Sequence, residues 1–415
     1  MIEKHNFHWK EGFFYNFSKK RKLFNKLVKE IKSQQIISLI GLRRTGKTTI
    51  LKQLIDYLIQ EKVKRENIIF YSFDENQPKI ADVIQDYENS VGKTILETKE
   101  RIYIFLDEIQ KLKNWQNQIK YYYDNYKNIK FFVSGSSSLF IKKQTQESLA
   151  GRIYEFILEP LSFDEFLIFR NRDDLLKKPD LLQDSIKNEF LRYQKRQFIE
   201  IVNETKERTA NYTKSIVEKI VYQDIPKIFP IDQEELLIRI LKIVASNPGL
   251  MSNYGSLSQE LGINRVTISN YFFYLEESFL VKKLYNFSKN MLTSEKRMKK
   301  FYLTSTSFFP FLNDDVNEAK LIENLIVVAT NAHFFWRTPQ NYEVDVVLNE
   351  KGKITPVEVK YKEHITKKDL KNLVRFCKKF NLANAVVITK DSLEEKRIGK
   401  IKIKLIPAWR FLLKK

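Results

Sequence analysis

Two glycines five positions apart, Gly41 and Gly46, stand between an apolar run, Ile36-Ile-Ser-Leu-Ile40, and a stretch with apolar residues at Ile50, Leu51, Leu54, Ile55 and Leu58. From the first glycine the chain reads Gly41-Leu42-Arg43-Arg44-Thr45-Gly46-Lys47-Thr48-Thr49. A buried strand that ends in G-x-x-x-x-G-K-[ST] and reopens as an amphipathic helix leaves few alternatives for the fold around it. The glycines let the backbone curl so that its N–H groups face phosphate oxygens. The helix start adds the positive end of its dipole. Lys47 supplies a point charge for the β- and γ-phosphates, and the Thr48 hydroxyl suits Mg²⁺.

The rest of such a site follows in order. Arg101-Ile-Tyr-Ile-Phe-Leu106 is a strand-like run that ends in Asp107-Glu108. Asp107 is placed to position Mg²⁺ through its water shell, and Glu108 to polarise an attacking water as general base. Another run, Lys130-Phe-Phe-Val133, ends in Ser134-Gly135-Ser136-Ser137. Ser134 or Ser136 could sense the γ-phosphate there, or the stretch is an ordinary strand-to-helix turn. Short β-branched runs alternating with helix-like segments predict a parallel sheet with helices on its faces.

The series Gly41–Thr49, Leu106-Asp-Glu-Ile-Gln110, Ser134–Ser138, Leu149-Ala-Gly-Arg152 and Pro160-Leu-Ser-Phe-Asp-Glu-Phe166 resembles the archaeal and bacterial AAA+ (AAA_14-like) P-loop ATPases joined to a DUF4143-type C-terminal region. The resemblance covers nearly the whole chain. It implies ATP and Mg²⁺ as cofactors, Asp107-Glu108 as a Walker B pair, and Mg²⁺-dependent ATP hydrolysis. It also implies Arg152 as an arginine finger or sensor, supplied by a neighbour if the protein forms a homo-oligomer. A salt-bridged surface arginine is the other reading of Arg152. The chain departs from the pattern in the linking region. Where many relatives have a Gly-Gly-Phe-Pro-like turn, it reads Lys195-Arg-Gln-Phe-Ile-Glu200.

Beyond a helical stretch from Ser162 to Phe229, residues 232–305 suggest a winged helix-turn-helix. Gly262 sits in a short turn, Asn264 is placed to cap the next helix, and two strand-like runs form the wing. The second helix would offer Arg265, Thr267 and Asn270 to DNA, with Lys296, Arg297, Lys299 and Lys300 near the wing for phosphates. A protein-packing lid is the alternative.

The last part holds Glu323 on a helix, Asp345 on one strand, and Glu358-Val-Lys360 on the next. The i, i+2 spacing puts Glu358 and Lys360 on one side. This order resembles the PD-(D/E)xK nuclease core, in which carboxylates hold Mg²⁺ and the lysine orients water. The same fold also serves as a clamp that does not cut.

The expected architecture is therefore α/β multidomain: a P-loop AAA+ parallel-sheet core at 1–160, a helical lid at 161–231, a winged helix at 232–305 and a restriction-endonuclease-like α/β domain at 306–415. The net charge is +21. Residues 351–415 hold 19 Lys and Arg against 6 Asp and Glu, a surplus of 13. Clustering of this kind suggests a polyanion such as DNA, although a lysine-rich solvated surface gives the same count. No run of 18 apolar residues occurs, so no membrane partner is expected, and the start of the chain lacks an apolar leader core. The only cysteine, Cys377, fits a small core residue in a reducing, cytoplasmic setting. The four histidines show no zinc-ligand spacing.

Overall fold

The computed structural model describes residues 2–95, 97–135 and 148–413. The chain divides into two compact units, Met1–Glu159 and Pro160–Lys415.

The first unit is built on five parallel strands: β1 (Ile36–Ile40), β2 (Ile68–Ser72), β3 (Ile102–Asp107), β4 (Ile129–Gly135) and β5 (Ile153–Ile157). Their order across the sheet is β2-β3-β4-β1-β5, with parallel pairing throughout. β1, β3 and β4 are buried along their whole length, which explains why they read as unbroken apolar runs. Edge strand β5 is half-exposed. Helix Lys47–Gln60 lays Leu51, Leu54 and Ile55 in a core with Phe24 and Leu27 of helix Lys22–Lys29 and with Phe105 and Phe132 of the sheet. The other edge, β2, is capped by side chains. Asn6 exchanges hydrogen bonds with the Phe70 backbone at 3.0 and 2.7 Å. His8 Nε2 meets the Ile68 carbonyl at 2.9 Å. Such pairing blunts an edge that would otherwise template another strand.

The second unit starts with helices Phe163–Phe169, Asp174–Lys177, Gln183–Tyr193 and Lys206–Lys219, the last running into a π-helical turn, Ile220–Asp224. One expected helical stretch is thus several short helices. A break falls at Lys178, the residue before Pro179, where the α conformation is disfavoured. Helices Glu234–Ser246, Tyr254–Leu261 and Arg265–Glu277 follow. Gly262 takes φ +67° in the turn, and Asn264 Oδ1 accepts the Val266 N–H at 2.8 Å.

Nine strands make the second sheet. They are β6 (Leu250–Met251), β7 (Val281–Asn286), β8 (Lys300–Leu303), β9 (Phe334–Arg337), β10 (Glu343–Glu350), β11 (Lys353–Val359), β12 (Asn384–Thr389), β13 (Glu394–Ile398) and β14 (Ile401–Pro407). Their order is β13-β14-β12-β11-β10-β9-β7-β8-β6. β7 pairs with β8 antiparallel on one side and with β9 in parallel on the other, Tyr285 beside Phe334. The sheet therefore runs unbroken through the 305/306 position where two separate domains were expected. Helix Lys371–Phe380 buries Leu373, Phe376 and Cys377 against Trp336, Val387 and Leu405. Among the described residues, no helix is long and apolar enough to cross a membrane.

Candidate functional sites

At the carboxyl end of β1 the backbone turns sharply. Gly41 has φ +147°, and a Cβ there would lie 2.4 Å from the Leu158 carbonyl oxygen, so only glycine fits. Gly46, at φ +97°, opens helix Lys47–Gln60. Leu42 and Thr45 are buried, Arg43 and Thr49 half-buried, and Arg44 is exposed in a left-handed conformation. Thr45 Oγ1 closes the loop on the Leu42 carbonyl at 2.9 Å. Lys47 is buried, its Nζ donating to the carbonyls of Gly41 and Leu42, both at 2.9 Å.

Asp107, at the tip of β3, is held from two sides. Thr48 Oγ1 donates to its Oδ2 at 2.7 Å, and Ser134 Oγ to its Oδ1. Burial pushes the Asp107 carboxyl up from its ordinary range, and the Ser134 and Thr48 hydrogen bonds work against that shift. Glu108 follows in a left-handed conformation, φ +54°. Its N–H points to Ser134 Oγ at 3.4 Å, and its Oε2 accepts from Gln110 at 2.6 Å. A cavity of about 540 Å³ opens beside Thr48 and Asp107 and is lined also by His5, Tyr15, Lys52 and Asp74. Hard oxygen donors on Thr48 and Asp107, set beside a phosphate-type loop, suit Mg²⁺. Ser136 lies outside the described residues.

One residue that the motifs do not contain braces the loop. Arg21 is buried, and its guanidinium donates to the carbonyls of Thr45 and Glu159, both at 2.8 Å. It precedes the pattern by twenty positions, and only its place just ahead of the amphipathic helix Lys22–Lys29 hints at a role.

Arg152 lies elsewhere. Its carbonyl accepts from Ile36 N, so it sits at the amino end of β1, a full strand away from the loop. At a rise of about 3.3 Å per residue, that places it more than about 13 Å from Gly41. Its guanidinium pairs with Asp124 at 2.9 and 3.3 Å. Arg152 cannot reach phosphates bound by its own loop, and within the chain it acts as a salt-bridged surface arginine.

In the second unit, β10 and β11 bring Asp345 and Glu358 together. The Val359 N–H donates to Asp345 Oδ2 at 2.8 Å, and Lys360 Nζ lies 2.6 Å from Glu358 Oε1. Both carboxyls are buried, and among the described residues Glu358 Oε2 has no hydrogen-bond partner. Burial, then the charge of Glu323, pushes Asp345 up to about 6; burial, then Asp345, pushes Glu358 up to about 8. Glu323 takes a different course. Its Oε1 accepts from Tyr302 Oη at 2.7 Å and lies 3.6 Å from Lys300 Nζ, while its Oε2 accepts from Lys320 at 2.8 Å. Burial alone would raise its pKa, but these cations and donors hold it below the ordinary value.

Lys300 corrects one expectation. It is 3% exposed and turned inward, bonded to Glu343 as well as near Glu323, so it is closed to a phosphate in solution. Its neighbours Arg297 and Lys299 remain at the surface or partly so, with Lys299 Nζ bonded to the Glu295 carbonyl. Three carboxyl groups (Glu323, Glu343, Glu358) thus pair with four cations (Lys300, Lys320, Arg337, Lys360). Protein ammonium groups occupy Glu323, and among the described residues no three His, Cys, Asp or Glu side chains form a group able to hold a metal ion. The residues present do not fit the expected three-carboxylate Mg²⁺ centre. Lys300 and Tyr302 share i, i+2 spacing, which was the available sign that both point the same way.

On helix Arg265–Glu277, Arg265 and Asn270 are exposed and Thr267 is half-buried. The same exposed face carries Val266 at 66% and Phe273 at 41% exposure. It is less polar and less basic than phosphate binding calls for.

Comparison with known proteins gives three family models along the chain. Residues 33–167 match the AAA domain, residues 198–318 a domain of unknown function (DUF8612), and residues 316–411 another (DUF4143). The chain is 27% identical to uncharacterized protein MJ1544 of Methanocaldococcus jannaschii, over 95% of this chain and 92% of that one. It is 26% identical to an uncharacterized protein of Haemophilus influenzae, over 80% of each. Among solved structures, the Aeropyrum pernix ORC2 protein in its ADP form aligns over 72% of this chain and 93% of its own, at 14% identity and a TM-score of 0.36.

Proposed function

Because the chain carries an AAA domain on a five-stranded P-loop sheet and a DUF4143-type C-terminal region, we propose that it is a Mg²⁺-dependent ATPase that couples hydrolysis to DNA binding. The observation that carries the ATPase reading is the clamp on Asp107 by Thr48 and Ser134, one residue before Glu108 and beside the Lys47 loop. Gly41–Thr49 wraps the phosphates with its N–H groups. Lys47 exchanges the Gly41 and Leu42 carbonyls for phosphate oxygens, and it carries a full charge to them. Thr48 and Asp107 hold Mg²⁺, which when bound neutralises phosphate charge. Glu108 orients and deprotonates the attacking water, with Gln110 fixing one of its oxygens. Ser134 keeps Asp107 aligned.

Lys47→Ala is expected to abolish ATP hydrolysis, and Glu108→Gln to retain ATP without turning it over, as a phosphate-release assay and nucleotide binding would read. Hydrolysis by Glu108→Gln at the wild-type rate would remove Glu108 as the base.

DNA is the partner that the basic C-terminal surplus favours. Within the same reading, the lysine ammonium groups held on Glu323 favour binding without cutting. A cleavage assay with Mg²⁺ or Mn²⁺ on single-stranded, duplex and branched DNA tests this. Retained binding with no cutting is expected. Metal-dependent cutting lost in both Asp345→Ala and Glu358→Ala would make the protein a nuclease instead.

A further inference from the structure

A groove of about 840 Å³ on the second unit is lined by Lys367, Lys368, Lys371, Arg375, Lys378 and Arg397, together with Val374 and Ile398. Among the described residues, no acidic side chain lines it. All six basic residues are exposed, and among the described residues none of them makes an ion pair. Some neighbouring basic residues are paired, although Lys390, Lys400 and Lys404 likewise make no ion pair among the described residues. Lys362 pairs with Asp369, Lys402 with Glu395, Lys187 with Asp391, and Lys396, next to Arg397 on β13, with Glu394.

Two further observations suggest that the charges are kept for a ligand. Lys367, Lys368 and Lys371 crowd the start of helix Lys371–Phe380, whose first turn has no acidic residue. Cations there oppose the helix dipole, so the arrangement costs stability in the isolated chain. Arg375 is held in place, its guanidinium 3.4 Å from the centre of the Tyr342 ring. Lys371, Arg375 and Lys378 repeat at i, i+4 and i+7 and span about 10 Å of helix, roughly three phosphates along one strand at about 3.4 Å of axis each.

We propose that this groove holds the phosphodiester backbone of DNA, and that it, rather than the exposed face of helix Arg265–Glu277, supplies most of the affinity. The proposal rests on the DNA-binding reading above. Backbone recognition of this kind is independent of base sequence and weakens steeply with salt.

The test measures binding of fluorescein-labelled random-sequence DNA, single-stranded and duplex, by the full chain across a salt series. Wild type is compared with Lys367→Glu/Lys371→Glu/Lys378→Glu and with Arg265→Glu/Asn270→Ala. The groove variant is expected to bind at least about tenfold more weakly. Its salt slope is expected to be shallower by roughly two to three, one for each phosphate no longer neutralised. Its melting point should stay close to wild type, because glutamate at 367 and 371 relieves the helix start while glutamate at 378, in the last turn, opposes the dipole, and it should keep its ATPase activity. Unchanged affinity in the groove variant, with loss in the helix variant, would overturn the inference and leave DNA binding intact. No DNA binding by wild type at any salt would remove the DNA reading, and the groove's assignment with it.

Discussion

Lys300 shows what a single buried side chain can decide. Its ammonium sits between Glu343 and Glu323 with almost no access to water. Removing one member of such a group leaves uncompensated charge in the interior, which costs about 3–5 kcal/mol. Lys300→Met should therefore destabilise the second unit by that order, read as a lower urea midpoint at unchanged slope, whereas Lys299→Met should leave the midpoint nearly unchanged. In sequence the two lysines are neighbours at the end of a basic stretch, and only the i, i+2 spacing of Lys300 and Tyr302 sets one apart from the other. The decision lies in strand alternation and in partners on β10 and the helix Glu318–Ala329. Glu358 provides a pH test. Its carboxyl is raised from 4.5 to about 8 by burial. Between those values the folded chain keeps a proton that the unfolded chain has released, so this group's contribution falls as pH rises from about 4.5 to about 8 and is level beyond. Glu358→Gln removes the ionisation, so it should flatten that decline and gain on wild type as pH rises towards 9. Melting curves at pH 5 and pH 9 check it; an equal shift at both would contradict it.

At the scale of elements, the phosphate loop was the most legible feature. Its glycines, lysine and threonines are fixed by local backbone and charge requirements, and its strand is buried on both faces, so pattern and structure share one cause. The brace supplied by Arg21 was not legible, because it depends on where the chain before the helix Lys22–Lys29 passes Thr45 and Glu159. Arg21→Ala removes two charge-assisted hydrogen bonds, one to the buried Thr45 carbonyl and one to the Glu159 carbonyl. It should destabilise the first unit by about 1.5–3 kcal/mol and raise KM for ATP more than it lowers kcat, since the loop loosens while Glu108 stays in place. A fall in kcat at unchanged KM would argue for a direct part in the chemistry. The linking stretch Lys195–Glu200 has a comparable role in the second unit. Buried Gln197 accepts from Ser305, from the Thr306 N–H and from Thr306 Oγ1 through one oxygen, and donates its N–H to Ser307. A turn that departs from the familiar pattern is thereby an anchor point.

Across the whole molecule, the sheet topology sets the cooperative units. β7 and β9 are nearly fifty positions apart in sequence, yet they share backbone hydrogen bonds. Hydrophobic periodicity reports which residues are inside but not which strands are neighbours, so this junction had no sequence signature. A fragment comprising residues 306–415 would expose β9 as a raw edge and should aggregate, whereas residues 160–415 should fold. Size-exclusion chromatography of the two fragments distinguishes these outcomes. In the full chain, ATP with Mg²⁺ should raise the melting point of the first unit alone, by about 2.7 kcal/mol of added stability at a hundredfold excess over Kd.

The shared sheet also limits how such a chain can change by recombination. A crossover between β8 and β9 would give each product half of a hydrogen-bond ladder shaped for a different partner. Two family models nevertheless meet between β8 and β9, at residues 316–318. Sequence drift on either side of the β7–β9 seam is therefore answerable to the other side, although the two parts are described by different families.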